Sequence, residues 1–167
     1  MPTVYLETTI PSYLAARSSR DIIIAAHQQI TRDWWRDARK HFDVYISDAV
    51  LAEICLGDPD VVARRLAIVE KLPVVEIDNE VQDLVSIYAQ RLGLTGRAQI
   101  DLPHIALAVA YSMDYLVTWN CAHIANGEII RRLGAINSEL HLHMPVIVTP
   151  EELLQPSGGE YEPRSYR

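Results

Sequence analysis

Three acids and one amide in this chain have the types and the placement that chemistry requires. Glu7 ends the apolar run Thr3-Val4-Tyr5-Leu6, and Glu53 lies within Leu51-Ala52-Glu53-Ile54. Asp101 opens an alanine-rich apolar stretch, and Asn120 follows Leu116-Val117-Thr118-Trp119. An acid framed by apolar residues is a poor surface residue, so Glu53 is expected to point inward. Carboxylate oxygens are the ligands that the hard cations Mg2+ and Mn2+ prefer. Two-ion hydrolysis of a phosphodiester needs several of them, converging so that the ions sit roughly 4 Å apart. Each residue alone has a plainer reading: Glu7 as a solvated loop residue, Glu53 as an exposed helix residue, Asp101 as a helix N-cap. Thr8, Thr9 and Thr118 could hold the carboxylates by hydroxyl donation, a support that metal sites generally need, and they fit helix starts equally well. His104 lies one turn from Asp101 on the same side, where it could assist a metal or a phosphate, although a core or helix-face histidine is the plainer reading. His141-x-His143 has the spacing of a strand-borne metal pair, but no third ligand clusters near it in sequence, and it is set aside.

The elements that must position these residues alternate along the chain. Thr3–Leu6 reads as a buried first strand and Asp21–Lys40 as a long amphipathic helix. Val44–Ile46 is a second strand, after which Ser47 and Asp48 supply an N-cap and first-turn acid for a helix carrying Val50, Leu51 and Ile54 and closed by Gly57. Asp58-Pro59 opens another helix, with Val62, Leu66 and Val69 as its expected apolar face. A third strand over Pro73–Glu76, a helix over Glu80–Leu92 and a break at Gly93–Gly96 follow. A helix then runs from Asp101 through Tyr111, followed by a strand at Tyr115–Val117, a helix at Glu128–Leu133 and a last strand at Pro145–Val148. Thr149-Pro150-Glu151-Glu152 has capping-box spacing and begins a short final helix. Residues 1–154 are expected to form one domain and 155–167 a disordered tail. Five short apolar strands separated by helices demand crossovers, hence an α/β fold of three layers, α/β/α, with a mainly parallel sheet of about five strands. Ligands of such sheets bind outside the carboxyl ends of the strands, where Glu7 and Asn120 stand.

Composition narrows the function classes. The chain's 167 residues, 49% hydrophobic and 22% charged, suffice for a full core and exclude the apolar-poor signature of disorder. No apolar run approaches the roughly 20 residues of a membrane span, no export signal is read at the N-terminus, and the only two cysteines, Cys55 and Cys121, offer no zinc knuckle. A cytoplasmic protein without membrane partners is expected. The net charge of −7 argues against binding nucleic acid by charge alone and fits a site built from acids. The best basic patch, Arg32, Arg36, Arg39 and Lys40, reads first as a solvated helix face. Val81, Leu84, Val85 and Tyr88 form an apolar stripe suited either to self-association or to the core. Neither GxxxxGK[ST] nor GxGxxG occurs, which ranks a nucleotide-binding or phosphotransfer domain low.

The four segments in order resemble the PIN-domain nucleases. Val4-Tyr5-Leu6-Glu7-Thr8-Thr9 looks like the first motif of that family, Leu51-Ala52-Glu53-Ile54 like the second, Asp101-Leu102-Pro103-His104-Ile105-Ala106 like the third and Leu116-Val117-Thr118-Trp119-Asn120 like the fourth. The likeness covers the chain to Leu154 and is nearest to the VapC-like toxins. It implies a PIN-like fold, an endoribonuclease using Mg2+ or Mn2+, an RNA substrate and a cognate antitoxin as partner; the expectation of a homodimer, or of antitoxin binding, through an apolar face rests on the Val81, Leu84, Val85 and Tyr88 stripe. It assigns Glu7, Glu53, Asp101 and Asn120 as metal-binding and catalytic residues. Two departures stand out. Glu7 replaces the usual aspartate and is one methylene longer, and Asn120 replaces the fourth acid and brings no charge. Loss of that charge gives the alternative of a catalytically silent PIN-like module that binds RNA or protein.

Overall fold

A computed structural model describes residues 1–154, so the reading of 155–167 as a disordered tail lies outside the described residues. The strands are β1 (Thr3–Leu6), β2 (Asp43–Ser47), β3 (Val74–Val75), β4 (Tyr115–Val117) and β5 (Val146–Val148). They form one parallel sheet in the order β3-β2-β1-β4-β5. β1 is central, and its Val4, Tyr5 and Leu6 are fully buried, because a parallel strand covered on both faces is apolar throughout instead of alternating. The chain builds outward from β1 through β2 and β3, then crosses over to β4 and β5. This puts the topological switch point between β1 and β4, where a crevice opens at the strand ends. Register completes the placement: Leu6 pairs with Val117, and Glu7 N donates to Val117 O at 3.1 Å, so Glu7 and Thr118 leave the sheet side by side.

The helices are α1 (Thr9–Ala15), α2 (Ile22–Asp33), α3 (Asp48–Ile54), α4 (Pro59–Val69), α5 (Asn79–Leu92), α6 (Arg97–Ile100), α7 (Leu102–Ala110) and α8 (Gly127–Glu139). α1 is absent from the sequence reading because Ile10-Pro11 looks like a break, yet Pro11 falls in the first turn, where no backbone N–H is needed. α2 starts on Asp21, whose carboxylate accepts from Ile23 N and Ile24 N at 2.9 and 3.0 Å. It continues through a π turn at Trp34–Ala38 and a 3-10 turn at Arg39–His41, so the helix expected to Lys40 is present but changes gauge. α8 runs past the expected Leu133, since Gly134 is tolerated where Ile136 and Asn137 bury themselves beyond it. Thr149 N and Oγ1 both donate to Glu152 and fix the closing 3-10 turn at Pro150–Leu153.

The helices pack in two groups that make the outer layers: α1 lies against α2 and α4, with α3 beside α4, and α5 lies against α7 and α8. Three surface expectations are decided by this packing. Val81, Leu84 and Tyr88 are buried and Val85 packs against the core, so the α5 stripe is core and is not free for self-association. Leu66 is 36% exposed and Val69 turns inward, which shifts the apolar face of α4 from the expected one. The basic patch is neutralised only at Arg36, which pairs with Asp33 and Asp37; the half-buried Arg39 stacks over Trp35 at 4.5 Å, the half-buried Arg32 donates to Ala16 O, and Lys40 is exposed. His143 Nε2 lies 2.7 Å from Met113 O, consistent with setting the His141-x-His143 pair aside.

Candidate metal centre

Glu7 sits where β1 leaves the sheet and is only 4% exposed. Its burial is compensated on one oxygen: Oε2 accepts from Thr9 N at 3.0 Å, Thr9 Oγ1 at 2.5 Å and Thr118 Oγ1 at 2.7 Å. Among the described residues no group donates to Oε1, which leaves one carboxylate oxygen available to a ligand. The threonines thus serve as carboxylate supports. Thr118 Oγ1 also accepts from Asn120 N at 2.9 Å, and Thr9 Oγ1 accepts from Trp119 N at 2.9 Å, binding the end of β4 to the start of α1.

Glu53 projects from α3 with its side chain 36% exposed. It accepts from Thr8 Oγ1 on Oε2 and faces His104 Nε2 at 3.1 Å on Oε1. Burial pushes its pKa up, but the hydrogen bond and charge of His104 and the bond from Thr8 outweigh this and leave it below the ordinary value. His104, on α7, is 1% exposed, and its other nitrogen, Nδ1, lies 2.7 Å from the Tyr5 hydroxyl. Burial draws the imidazole pKa down; the Glu53 hydrogen bond and the charges of Glu7, Glu53 and Asp101 more than reverse this, and the net direction is up. Tyr5 lies in turn 2.7 Å from Ser47 Oγ, and burial holds its phenol well above the usual value, so it remains a neutral hydroxyl.

One ligand atom from each of Glu7, Glu53 and His104 can be chosen so that all lie within 4.8 Å of one another. Asp101 falls outside this trio but close enough for its charge to act on His104. It does not cap α7, for its carboxylate makes no cap bond. Instead Oδ2 accepts from Asn120 Nδ2 at 2.9 Å and lies 2.8 Å from His123 Nδ1. The Asn120 amide oxygen accepts from His123 N at 3.0 Å, so Asn120 is committed on both ends to shaping this corner. Asp101, Asn120 and His123 line a pocket of about 450 Å3 with Arg97 and Ile100.

The four sequence-predicted residues fall in two groups, Glu7 and Glu53 with His104 and Asp101 with Asn120, joined through Thr118, which donates to Glu7 and accepts from Asn120 N. Tyr5, Ser47 and His123 escaped the sequence reading as site residues. Tyr5 looks like any core strand residue, but His123 stands three residues after Asn120 and was within reach of a turn argument.

No family model matches the sequence, and no curated protein matches it. Among solved structures the fold is similar to that of VapBC2 from Rickettsia felis bound to a DNA fragment from their promoter, with a TM-score of 0.58 at 16% identity over 88% of this chain and 98% of that one. It is also similar to that of VapC20 from Mycobacterium tuberculosis, a sarcin-ricin loop cleaving toxin, with a TM-score of 0.53 at 13% identity over 68% of this chain and 87% of that one. The chain has the fold of the VapC toxins. A VapC-like fold accounts for the crevice at the switch point, and the donor set found there fits a divalent cation: two carboxylates, one with an oxygen left free, and an imidazole.

Proposed function

We propose that this chain is a divalent-metal-dependent endoribonuclease, the toxin of a toxin–antitoxin pair. The observation that carries the reading is the convergence of Glu7, Glu53 and His104 at the carboxyl edge of a parallel sheet with the VapC fold. Glu7 and Glu53 would hold the ion, Mg2+ or Mn2+, with Asp101 adding negative charge from the adjoining wall. When bound, the ion supplies Lewis acidity to a phosphoryl oxygen and lowers the pKa of a water. The protein's own contribution is rigidity. Three donors fix Glu7, Thr8 and His104 fix Glu53, and Asn120 and His123 fix Asp101, so no carboxylate must reorganise when substrate arrives. Asn120 acts in this scheme by orienting Asp101, and its missing charge is compatible with activity.

RNA is the proposed substrate, and an antitoxin and a second copy of the chain are the proposed protein partners, engaged through surfaces other than the buried α5 stripe. The cytoplasm is the proposed compartment; no helix among the described residues is long and apolar enough to cross a membrane. Purified chain should cleave RNA with Mn2+, stop on addition of chelator, and resume on restoring the ion. Cleavage that persists in chelator, or none with any divalent ion, would overturn the reading.

A further inference from the structure

The buried chain Ser47–Tyr5–His104–Glu53 can run in two directions, and only one of them leaves His104 able to bind a metal. Its distances are 2.7 Å from Ser47 Oγ to Tyr5 Oη, 2.7 Å from Tyr5 Oη to His104 Nδ1 and 3.1 Å from His104 Nε2 to Glu53 Oε1. Glu53 Oε1 belongs to a carboxylate and accepts, so with no ion present a neutral His104 carries its proton on Nε2 and donates it there. Nδ1 is then an acceptor, Tyr5 must donate to it, and Ser47 donates to Tyr5 while its own oxygen accepts from Val50 N at 3.2 Å. Every donor in that arrangement has a partner.

A ligand role requires the Nε2 lone pair and therefore the other tautomer. Nδ1 becomes the donor, Tyr5 accepts from it and turns its own proton to Ser47 Oγ. The imidazole gives up the Nε2 proton and takes one on Nδ1 by exchange with water. Both hydroxyls keep their protons and rotate, and the number of protons in the network is unchanged; Ser47 Oγ then accepts from both Tyr5 and Val50 N, and its own O–H is left without an acceptor among the described residues, a cost that ligation of the metal must offset. No heavy atom needs to move. A hydroxyl is the side-chain group that can reverse in this way, whereas a carbonyl or carboxylate on Nδ1 would lock one tautomer.

We propose that His104 is a third ligand of the metal centre and that Tyr5 is the positioning residue that lets its tautomer change on binding, with Ser47 Oγ accepting the hydrogen bond that Tyr5 turns away from the imidazole. The inference rests on the metal-dependent reading above and extends it. An imidazole beside two carboxylates tilts the site from Mg2+ towards Mn2+ and the later transition ions.

The test uses the full chain and 15N shifts of the His104 ring in mildly alkaline buffer, with Zn2+ as diamagnetic probe and calorimetry to measure Zn2+ and Mn2+ affinity. Metal-free protein should show the Nε2-protonated ring, and Zn2+-loaded protein the Nδ1-protonated ring with Nε2 shifted by ligation. Tyr5→Phe, which keeps the ring and removes the hydroxyl, should weaken Mn2+ and Zn2+ binding about 10- to 100-fold, the usual effect of removing the partner of a ligating histidine. If the metals bind and the ring stays protonated on Nε2, His104 is no ligand and the proposal fails while the nuclease reading stands. Unchanged affinity in folded Tyr5→Phe would likewise remove Tyr5 from the account. If the wild type binds no metal, both fall. The wild-type spectra decide the ligand role even should Tyr5→Phe not fold.

Discussion

Thr118→Val tests how the centre holds a buried carboxylate before any ion arrives. The substitution is nearly isosteric and sits at a fully buried position, so no cavity is opened. It removes the hydroxyl that donates to Glu7 Oε2 at 2.7 Å and accepts from Asn120 N at 2.9 Å. A hydrogen bond to a charged group contributes about 1.5–3 kcal/mol, and the stranded Asn120 N–H adds about 1 kcal/mol, giving roughly 3 kcal/mol in all. Thr9 N and Oγ1 still hold Glu7, so the loss should not be larger. For a domain of this size that lowers Tm by roughly 6–12 °C. Thermal unfolding of the metal-free protein measures it, with Thr95→Val at an exposed site as the control. A double-mutant cycle with Glu7→Gln isolates the pair, because the coupling should account for most of the loss. A Tm for Thr118→Val equal to the control would refute the view that Glu7 is held in place by this donor.

Other outcomes follow from the same geometry. Glu53→Gln and Asp101→Asn should each abolish RNA cleavage while leaving far-UV circular dichroism and a cooperative unfolding transition in place; loss of folding together with activity would make the acids structural. Asn120→Asp replaces the donor to Asp101 Oδ2 with a second carboxylate, so the metal-free protein should lose stability through like-charge repulsion, and the rise in Tm on adding Mn2+ should exceed that of the wild type. An equal rise in both proteins would put position 120 beyond the influence of the ion. The pH dependence of the metal-free protein has a worked sign. His104, raised above its ordinary 6.5, stabilises fully below that pH and loses its contribution as pH climbs through the raised folded value. Glu53, lowered below its ordinary 4.5, stabilises above that pH and loses its contribution as pH falls through the lowered value. The contribution of this pair to Tm should therefore peak between the two ordinary values, and His104→Gln should flatten the profile on its alkaline side.

Local chemistry explains what could be read before the structure. Caps are local, and Ser47 and Asp58 each accept from the backbone N–H groups that their sequence position implied. The strands were legible because each is an unbroken apolar run, and their parallel order because helices intervene. The partition of the site was not legible. His104 meets Tyr5 across 99 residues and Glu53 across 51, and nothing in the spacing of a helix from Asp101 fixes which acid its imidazole faces. Asp101 matched an N-cap by type and position, but its carboxylate is drawn instead to Asn120 and His123 through a long-range corner. Val81, Leu84, Val85 and Tyr88 show the same limit from the other side, since periodicity identifies a stripe and only packing against α7 and α8 identifies it as core.

The central claim is that Glu7, Glu53 and His104 form a metal centre. Anomalous diffraction from crystals of the full chain grown with Mn2+ tests it directly, because the manganese signal locates the ion without reference to activity. The account predicts a peak among the Glu7, Glu53 and His104 side chains, lost in Glu53→Gln crystals grown the same way. No peak at this crevice, or a peak held only by residues elsewhere on the protein, would contradict it.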